Sequence, residues 1–530
     1  MGPSTPDEGS HDHLQLLSDA VSDTSTPPSS LIEATSLNST LATQETTSNI
    51  QSAFSSPLRI TTRHDFSLDA ATISQKLIHA VQPCHTETIT DFMHKCVDLF
   101  MLYQFPNTPI AHEPTLRSAI ALFDRTSVML LASPPYADST SVEPLRRFTL
   151  VTAICALVIS VMPRELLDSP KDLFWPYYYA SRAMLRLYEE YDLEFPDWSS
   201  FCIRTWHSAG LENTTGRDVI SSHIHREGTF LALKARIYDE KVIGSLLPVD
   251  ARLLRMNWWL SYLADKTAAA FDKVPYVISD GFCDDRITID EEKEHENLLL
   301  DPSRPWNQNR FEHRLLLGFQ FKRRLWAAAA DVVHGIRLHS KNHRSDFADS
   351  RPDQQSTEKL YGLYLHFCGI IDDLPQCLQL PDAAAGPVEP EVVQYQALSF
   401  WAQRSNILSV YHCMRIVILQ LCLDADLAEV VGLNNMPISW AMRKLEICQD
   451  FLRELSLIPF NCYRVQGEPA VERVRRVGSI LLAVVNDPPT PPIEKRARTQ
   501  LEKLLDILSS LDSRATDHLQ DLENNANICS

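Results

Sequence analysis

The chain has 530 residues, 44% of them hydrophobic and 22% charged, which is the balance of a globular protein with a large buried core. Its formal charge is −19, and it contains only 15 glycines, where average usage of roughly 7% would give more than twice as many. The charge argues against a surface that grips duplex DNA, because such a surface needs basic side chains. The scarcity of glycine argues against the glycine-rich phosphate loops of nucleotide-binding folds.

The first segment, residues 1–60, is predicted to be a disordered acidic tail. It is rich in Ser, Thr and Pro and has no Lys or Arg before Arg59. Its few large apolar side chains cannot offset the entropy lost on ordering. We see no secretory signal here, and none of the 12 cysteines forms a C-x-x-C pair. Free thiols buried in apolar helices, in a reducing compartment, are the expectation.

Helical periodicity dominates residues 70–486. Phe92, Cys96, Leu99 and Tyr103 recur at helical spacing, and residues 311–338 and 396–423 form two long helical patterns. The apolar run 148–162 is shorter than the roughly 20 residues of a bilayer span, so it predicts a buried core helix. Alternating strands with tight turns do not appear. The sequence therefore predicts one large all-α domain and no membrane segment.

The C-terminal region is predicted to contain a Pro-rich linker, residues 487–498, and an amphipathic helix, residues 499–523. The linker carries a short basic run that an import receptor could bind, formed by Lys495, Arg496 and Arg498. The helix places four leucines at coiled-coil spacing: Leu501, Leu504, Leu508 and Leu511. These leucines either bind a partner or pack back onto the chain's own core.

Motifs for catalysis are hard to find in this sequence. Neither a phosphate loop nor a nucleophile elbow nor an H-E-x-x-H helix occurs. The pairs Asp284-Asp285 and Asp372-Asp373 lack the third acid that a magnesium-dependent cyclase would place three residues later. The basic runs 322–324 and 473–476 are interpreted as solvated helix faces. We therefore expect no enzyme, cofactor or metal site, with an all-α enzyme of degenerate metal site as the alternative.

Three strings resemble the regulatory, or middle homology, domain of fungal zinc-cluster transcription factors. The first is PIAHEPTL at residues 109–116, and the third is QGEP at 466–469 followed by the arginine-rich stretch 471–478. The second is the most diagnostic, a helix pair spanning residues 226–275. Helical spacing in its second helix, residues 249–271, predicts that Trp259 is a buried core side chain. The residues that carry this similarity in the second and third strings are Arg226, Glu227, Arg255, Trp259, Asp265, Pro275, Gly467, Glu468 and Pro469.

The resemblance covers about residues 85–485, with departures at Gly228, Lys266 and Val274. It implies a nuclear regulator of transcription that serves a metabolic, plausibly secondary-metabolite, gene cluster. The family's DNA-binding module needs six closely spaced cysteines, but the first cysteine here is Cys84. We therefore expect the chain to reach DNA through a protein partner, either a zinc-cluster factor or a homo-oligomer. The alternative is a full factor whose zinc-cluster exon is missing, and the resemblance leaves room for a small-molecule effector.

Overall fold

The structure is a computed structural model that describes residues 66–84, 87–123, 139–216, 218–279, 298–344, 354–379, 381 and 389–511. Over these ranges the chain forms helices joined by turns and contains no β-strand. The predicted all-α fold class is confirmed. The predicted acidic tail, residues 1–60, lies outside the described residues.

The first half of the chain forms nine α-helices within the described ranges. A single π-helical turn, Phe100–Gln104, follows the second of them and leads into the proline-containing turn at 105–107. The helices are α1 (Phe66–Val81), α2 (Ile89–Leu99), α3 (Glu113–Ile120), α4 (Ser139–Val161), α5 (Phe174–Glu194), α6 (Trp198–Thr215), α7 (Asp218–Lys234), α8 (Glu240–Ile243) and α9 (Pro248–Ala270).

The second half is built around two helices of more than 30 residues, α10 and α13. The helices are α10 (Phe311–Arg344), α11 (Gln354–Gly369), α12 (Gln376–Gln379), α13 (Pro390–Asp424), α14 (Pro437–Leu457), α15 (Phe460–Arg464), α16 (Glu468–Asn486) and α17 (Pro491–Ser510). The long helical patterns predicted at 311–338 and 396–423 are thus confirmed, and each helix extends beyond its predicted range.

Helix boundaries follow the chemistry of the terminal residues. Asp197 caps α6 with its carboxylate on the N–H groups of Ser199 and Ser200, and Gly216 ends the same helix with a left-handed backbone. Within the described ranges, proline occupies one of the first two positions of six α-helices, α3, α9, α13, α14, α16 and α17. Its fixed φ suits that position, and its missing N–H would have no partner there anyway.

The core has two centres, α4 in the first half and α13 in the second. Helix α4 packs against α5 and α6, and α13 packs against α10, α14 and α16. Both are long and apolar enough to span a bilayer, but 83% of the apolar window of α4 and 78% of that of α13 are buried inside the fold. The buried core helix predicted at 148–162 is therefore confirmed.

The predicted Pro-rich linker at 487–498 is wrong from residue 491 onward. Helix α17 begins at Pro491, directly after Thr490, and runs without interruption through the basic residues. Adjacent prolines are typical of a linker, but prolines at the first helical positions start a helix. Lys495, Arg496 and Arg498 are consequently exposed side chains of a helix, and Arg498 pairs with Glu494 at 2.9 Å.

The predicted C-terminal helix packs onto its own chain. Leu504 and Leu511 are buried, and Leu501 and Leu508 are partly buried against the same core, where α17 contacts α14 and α16. Of the two alternatives for these leucines, the structure supports packing onto the chain itself. Leu505 is 54% exposed and is the leucine of α17 most open to solvent. Residues 512–523 of the predicted helix lie outside the described range.

Candidate functional site

The residues of the second string converge on one cluster. The Arg226 guanidinium, on α7, lies 2.8 Å from the Asp265 carboxylate, on α9, and also donates to the Pro275 carbonyl oxygen at 3.2 Å. The Asp265 carboxylate also accepts hydrogen bonds from the backbone N–H groups of Val277 and Ile278. One buried carboxylate therefore fastens α7, α9 and the segment after α9, which gives these residues a structural role.

Two other residues of this string also make contacts between helices. The Arg255 guanidinium, on α9, binds the Glu240 carboxylate, on α8. Trp259 is buried, as the core interpretation predicts, and the Arg323 guanidinium of α10 lies 4.1 Å from its ring centroid. Glu227 differs from these, because its side chain is 37% exposed and Arg182 lies 4.0 Å away.

The third string forms the start of α16. Gly467 has φ +64° and ψ −144°, a backbone region that favours glycine, and a Cβ there would collide with the Asn213 side chain. The same Asn213 amide oxygen accepts the Glu468 N–H at 2.7 Å, and Pro469 lies in the first turn of the helix. The start of α16 therefore packs closely against the Asn213 side chain of α6, through the backbone of residues Gly467, Glu468 and Pro469.

A second cluster of polar groups lies in the core of the second half, and the sequence interpretation missed it. Lys322 and Arg473 were assigned to solvated helix faces, but both are buried. The Lys322 amine donates to the Asn107 carbonyl oxygen at 3.3 Å. The Arg473 guanidinium donates to the Gln466 amide oxygen, which also accepts from Asn406 at 3.0 Å. Helices α10, α13 and α16 meet at this cluster.

A periodic signal for this burial was present in the sequence. Lys322 falls in the stripe Leu315, Phe319, Trp326 and Ala329, all buried positions of α10 at helical spacing. The run 322–324 was predicted to be solvated because its three side chains are charged, although helical spacing places Lys322 on the buried face. That assignment was wrong for Lys322 and Arg473 because burial follows the helix face on which a side chain lies.

The electrostatics of the second cluster are unbalanced. Burial, assisted by repulsion from Arg473, lowers the pKa of Lys322 to about 7. Among the described residues, neither Lys322 nor Arg473 has a carboxylate within ion-pair distance. Arg473 Nε and the amide oxygens of Asn107 and Asn406 are buried without a hydrogen-bond partner in the described part of the chain.

A groove of about 420 Å³ lies close to this cluster, between α14, α15 and α17. Leu452, Phe460 and Ile507 supply apolar walls, and Lys503 and Asp506 add opposite charges. Tyr463 also lines the groove, and its ring centroid lies 5.9 Å from the Arg473 guanidinium carbon. Tyr463 therefore contacts both the groove and the Arg473 side of the second cluster.

The chemistry of the remaining candidates is limited. Asp373 is exposed and lies 3.7 Å from Arg324, while Asp284 and Asp285 fall outside the described residues. Across the described ranges, no group of three His, Cys, Asp or Glu side chains is placed to hold a metal ion. Eight of the nine free cysteines described are buried, and burial raises the pKa of thiols such as Cys413 and Cys462 to about 12.

No family model, curated protein or solved structure matches this chain. The resemblance to fungal zinc-cluster regulators therefore stays a prediction that rests on the three strings and on their positions in the fold.

Proposed function

We propose that this protein is a nuclear regulator of transcription, related to the regulatory domains of fungal zinc-cluster factors, that acts on a metabolic gene cluster through a DNA-binding partner. The observation that carries the proposal is the contact set of Arg226, Asp265 and Pro275. Arg226 lies 39 residues from Asp265 and 49 residues from Pro275 in sequence, and the resemblance selects all three. Their convergence supports treating the string as a folded unit and not as a chance match.

The charge of the chain supports indirect contact with DNA. A net charge of −19 repels the phosphate backbone, and the 530 residues contain no cluster of six closely spaced cysteines. Specific DNA contacts would come from a partner chain or from a zinc-cluster segment encoded upstream. Comparing the 5′ end of the transcript with the genomic sequence distinguishes these two sources.

The partner surface must differ from the predicted leucine seam, because Leu504 and Leu511 pack inside the chain. The outer face of α17, marked by Leu505, is the part of that helix open to another protein. Leu505→Ser should weaken partner capture and leave the thermal midpoint unchanged. Leu504→Ala is the matched control. It removes a buried side chain from the same helix, so it should lower the thermal midpoint.

The direct test has two arms, promoter occupancy in cells and DNA binding by the purified chain. We expect the tagged chain to accumulate in nuclei and to occupy promoters, while the purified chain gives no specific duplex-DNA shift at physiological salt. Replacing Lys495, Arg496 and Arg498 by Gln should reduce nuclear accumulation if they form the import signal. A chain that stays outside the nucleus and occupies no promoter contradicts the proposal.

A further inference from the structure

Lys322 occupies a position that normally holds an apolar side chain. It is buried in the inward stripe of α10, between Phe319 and Trp326. Its amine makes one hydrogen bond, to the Asn107 carbonyl oxygen in the turn that follows the π-helical segment. That turn is also fastened from α13, because Asn107 donates to the Ala402 carbonyl oxygen at 3.1 Å. The lysine therefore ties α10 to a turn nearly 220 residues earlier in the chain.

In the described part of the chain, no carboxylate lies within ion-pair distance of Lys322 or of its neighbour Arg473. Helix α16 contributes Arg473, a second buried cation. Around Arg473, α13 contributes the thiol of Cys413 and the neutral amide of Asn406, which binds the same Gln466 oxygen as Arg473, and α15 contributes Tyr463. The pKa of both Cys413 and Tyr463 is raised to about 12, so neither ionises near neutral pH. From the turn comes only the Asn107 amide and its carbonyl oxygen.

A buried ammonium without a carboxylate is costly, because desolvation is not repaid by an opposite charge. Here the cost is increased by Arg473, which is held in place by Gln466. The uncharged amine avoids both penalties and still donates to the Asn107 carbonyl oxygen. We propose that Lys322 is a proton-controlled joint: the neutral amine holds the Asn107 turn and α16 against α10, and proton uptake loosens both contacts.

The direction of the pH dependence follows from linkage. The pKa of Lys322 is about 7 in the folded chain and has its ordinary value of 10.5 when the joint is open. Between these values the open form binds more protons than the closed form. Opening therefore becomes more favourable as pH falls from 10.5 to 7, by up to about tenfold for each pH unit, and levels off below 7.

Nuclear magnetic resonance of the full chain with 13C-labelled lysine tests the first half of the proposal. One lysine side-chain signal should titrate near pH 7, and it should be absent from Lys322→Met. If every lysine signal titrates above pH 9, the proposal is wrong whether or not the variant folds. A signal titrating near 7 that persists in Lys322→Met also overturns it.

Hydrogen exchange tests whether the proton controls the joint. After correction for intrinsic exchange rates, amides of the Asn107 turn and of α16 should open about fivefold more often at pH 7 than at pH 8, because the closed form is itself half protonated at pH 7. Lys322→Met should abolish this difference. Lys341→Met, an exposed lysine on the same helix, should preserve it. Arg473→Met should shift the response to higher pH, since it removes the neighbouring cation. Equal opening at both pH values in the wild type contradicts the proposal.

Discussion

Two buried clusters of charge, one in each half of the chain, are built in opposite ways. In the first half, Asp192 lies between two buried arginines, 2.7 Å from Arg204 and 3.1 Å from Arg146, and Arg146 also pairs with Asp197 at 2.7 Å. In the second half, Lys322 and Arg473 are buried without a carboxylate among the described residues. The first cluster balances its charge with fixed ion pairs, and the second balances it by losing a proton.

The difference teaches that burial alone does not decide what a charged side chain does. The Asp192 cluster also includes Ser200, which donates to Asp192 at 2.6 Å and accepts the Asp197 N–H, so one serine joins the ion pairs to the helix cap. That network pairs each buried arginine with a carboxylate and holds α4, α5 and α6 together. The lysine joint changes state near neutral pH, because its charge is uncompensated.

The largest expected effect comes from breaking the balanced cluster. Asp192→Asn should lower the free energy of unfolding by about 3–5 kcal/mol, since it leaves Arg204 buried without its counter-charge. Denaturant unfolding followed by circular dichroism measures this loss. Asp172→Asn, at an exposed position before α5, is the control and should change stability by less than about 0.5 kcal/mol. A loss below about 1 kcal/mol for Asp192→Asn would show that Arg204 is solvated after all.

The unbalanced cluster should respond in the opposite direction. Lys322→Met should raise the free energy of unfolding by about 1–4 kcal/mol at pH 7, because an apolar side chain of similar length replaces a buried cation. The gain should shrink as pH rises and level off only above 10.5, where the lysine is neutral in both the folded and the unfolded chain. Unfolding measured at pH 7 and at pH 9.5 checks both statements. A variant less stable than the wild type at pH 7 would contradict the comparison.

The ion pair of the second string should show an intermediate effect. Asp265→Asn should cost about 1.5–3 kcal/mol, because charge-assisted hydrogen bonds to Arg226 and to two backbone N–H groups are weakened together. The thermal midpoint measures the loss. Adding Arg226→Gln to the Asn variant should cost little more, since the two side chains act as one unit. Additive losses would mean that Arg226 stabilises the fold through other contacts.

The smallest effect is expected at Glu227, the exposed acid next to Arg226. Arg182 lies 4.0 Å from its carboxylate, the exposed His223 lies 3.4 Å from it, and the Glu227 side chain is 37% exposed. Solvent screening reduces such pairs to little net stability, so Glu227→Gln should stay within about 0.5 kcal/mol of the wild type. If this variant loses reporter activity at full stability, Glu227 belongs to a partner-binding surface.

Local periodicity was enough to predict the all-α class, the buried helix at 148–162 and the burial of Trp259. Each of these depends on side chains a few residues apart on one helix, which is information that the sequence holds directly. The residue types that start and end helices were also recognisable in the sequence, although the start of α17 at Pro491 was predicted to be a linker. The error came from treating proline as a breaker when it occupies the first helical turn.

What only the tertiary structure decided is which distant groups meet. Nothing in the local sequence pairs Arg226 with Asp265, 39 residues away, or Lys322 with Asn107, 215 residues away. The leucines of α17 could be satisfied by a partner or by the chain itself, and the packing of α17 onto α14 and α16 selected the second. A helical pattern fixes the face on which a side chain lies. The charge, solvent and pKa that the side chain experiences depend on the other segments packed against that face.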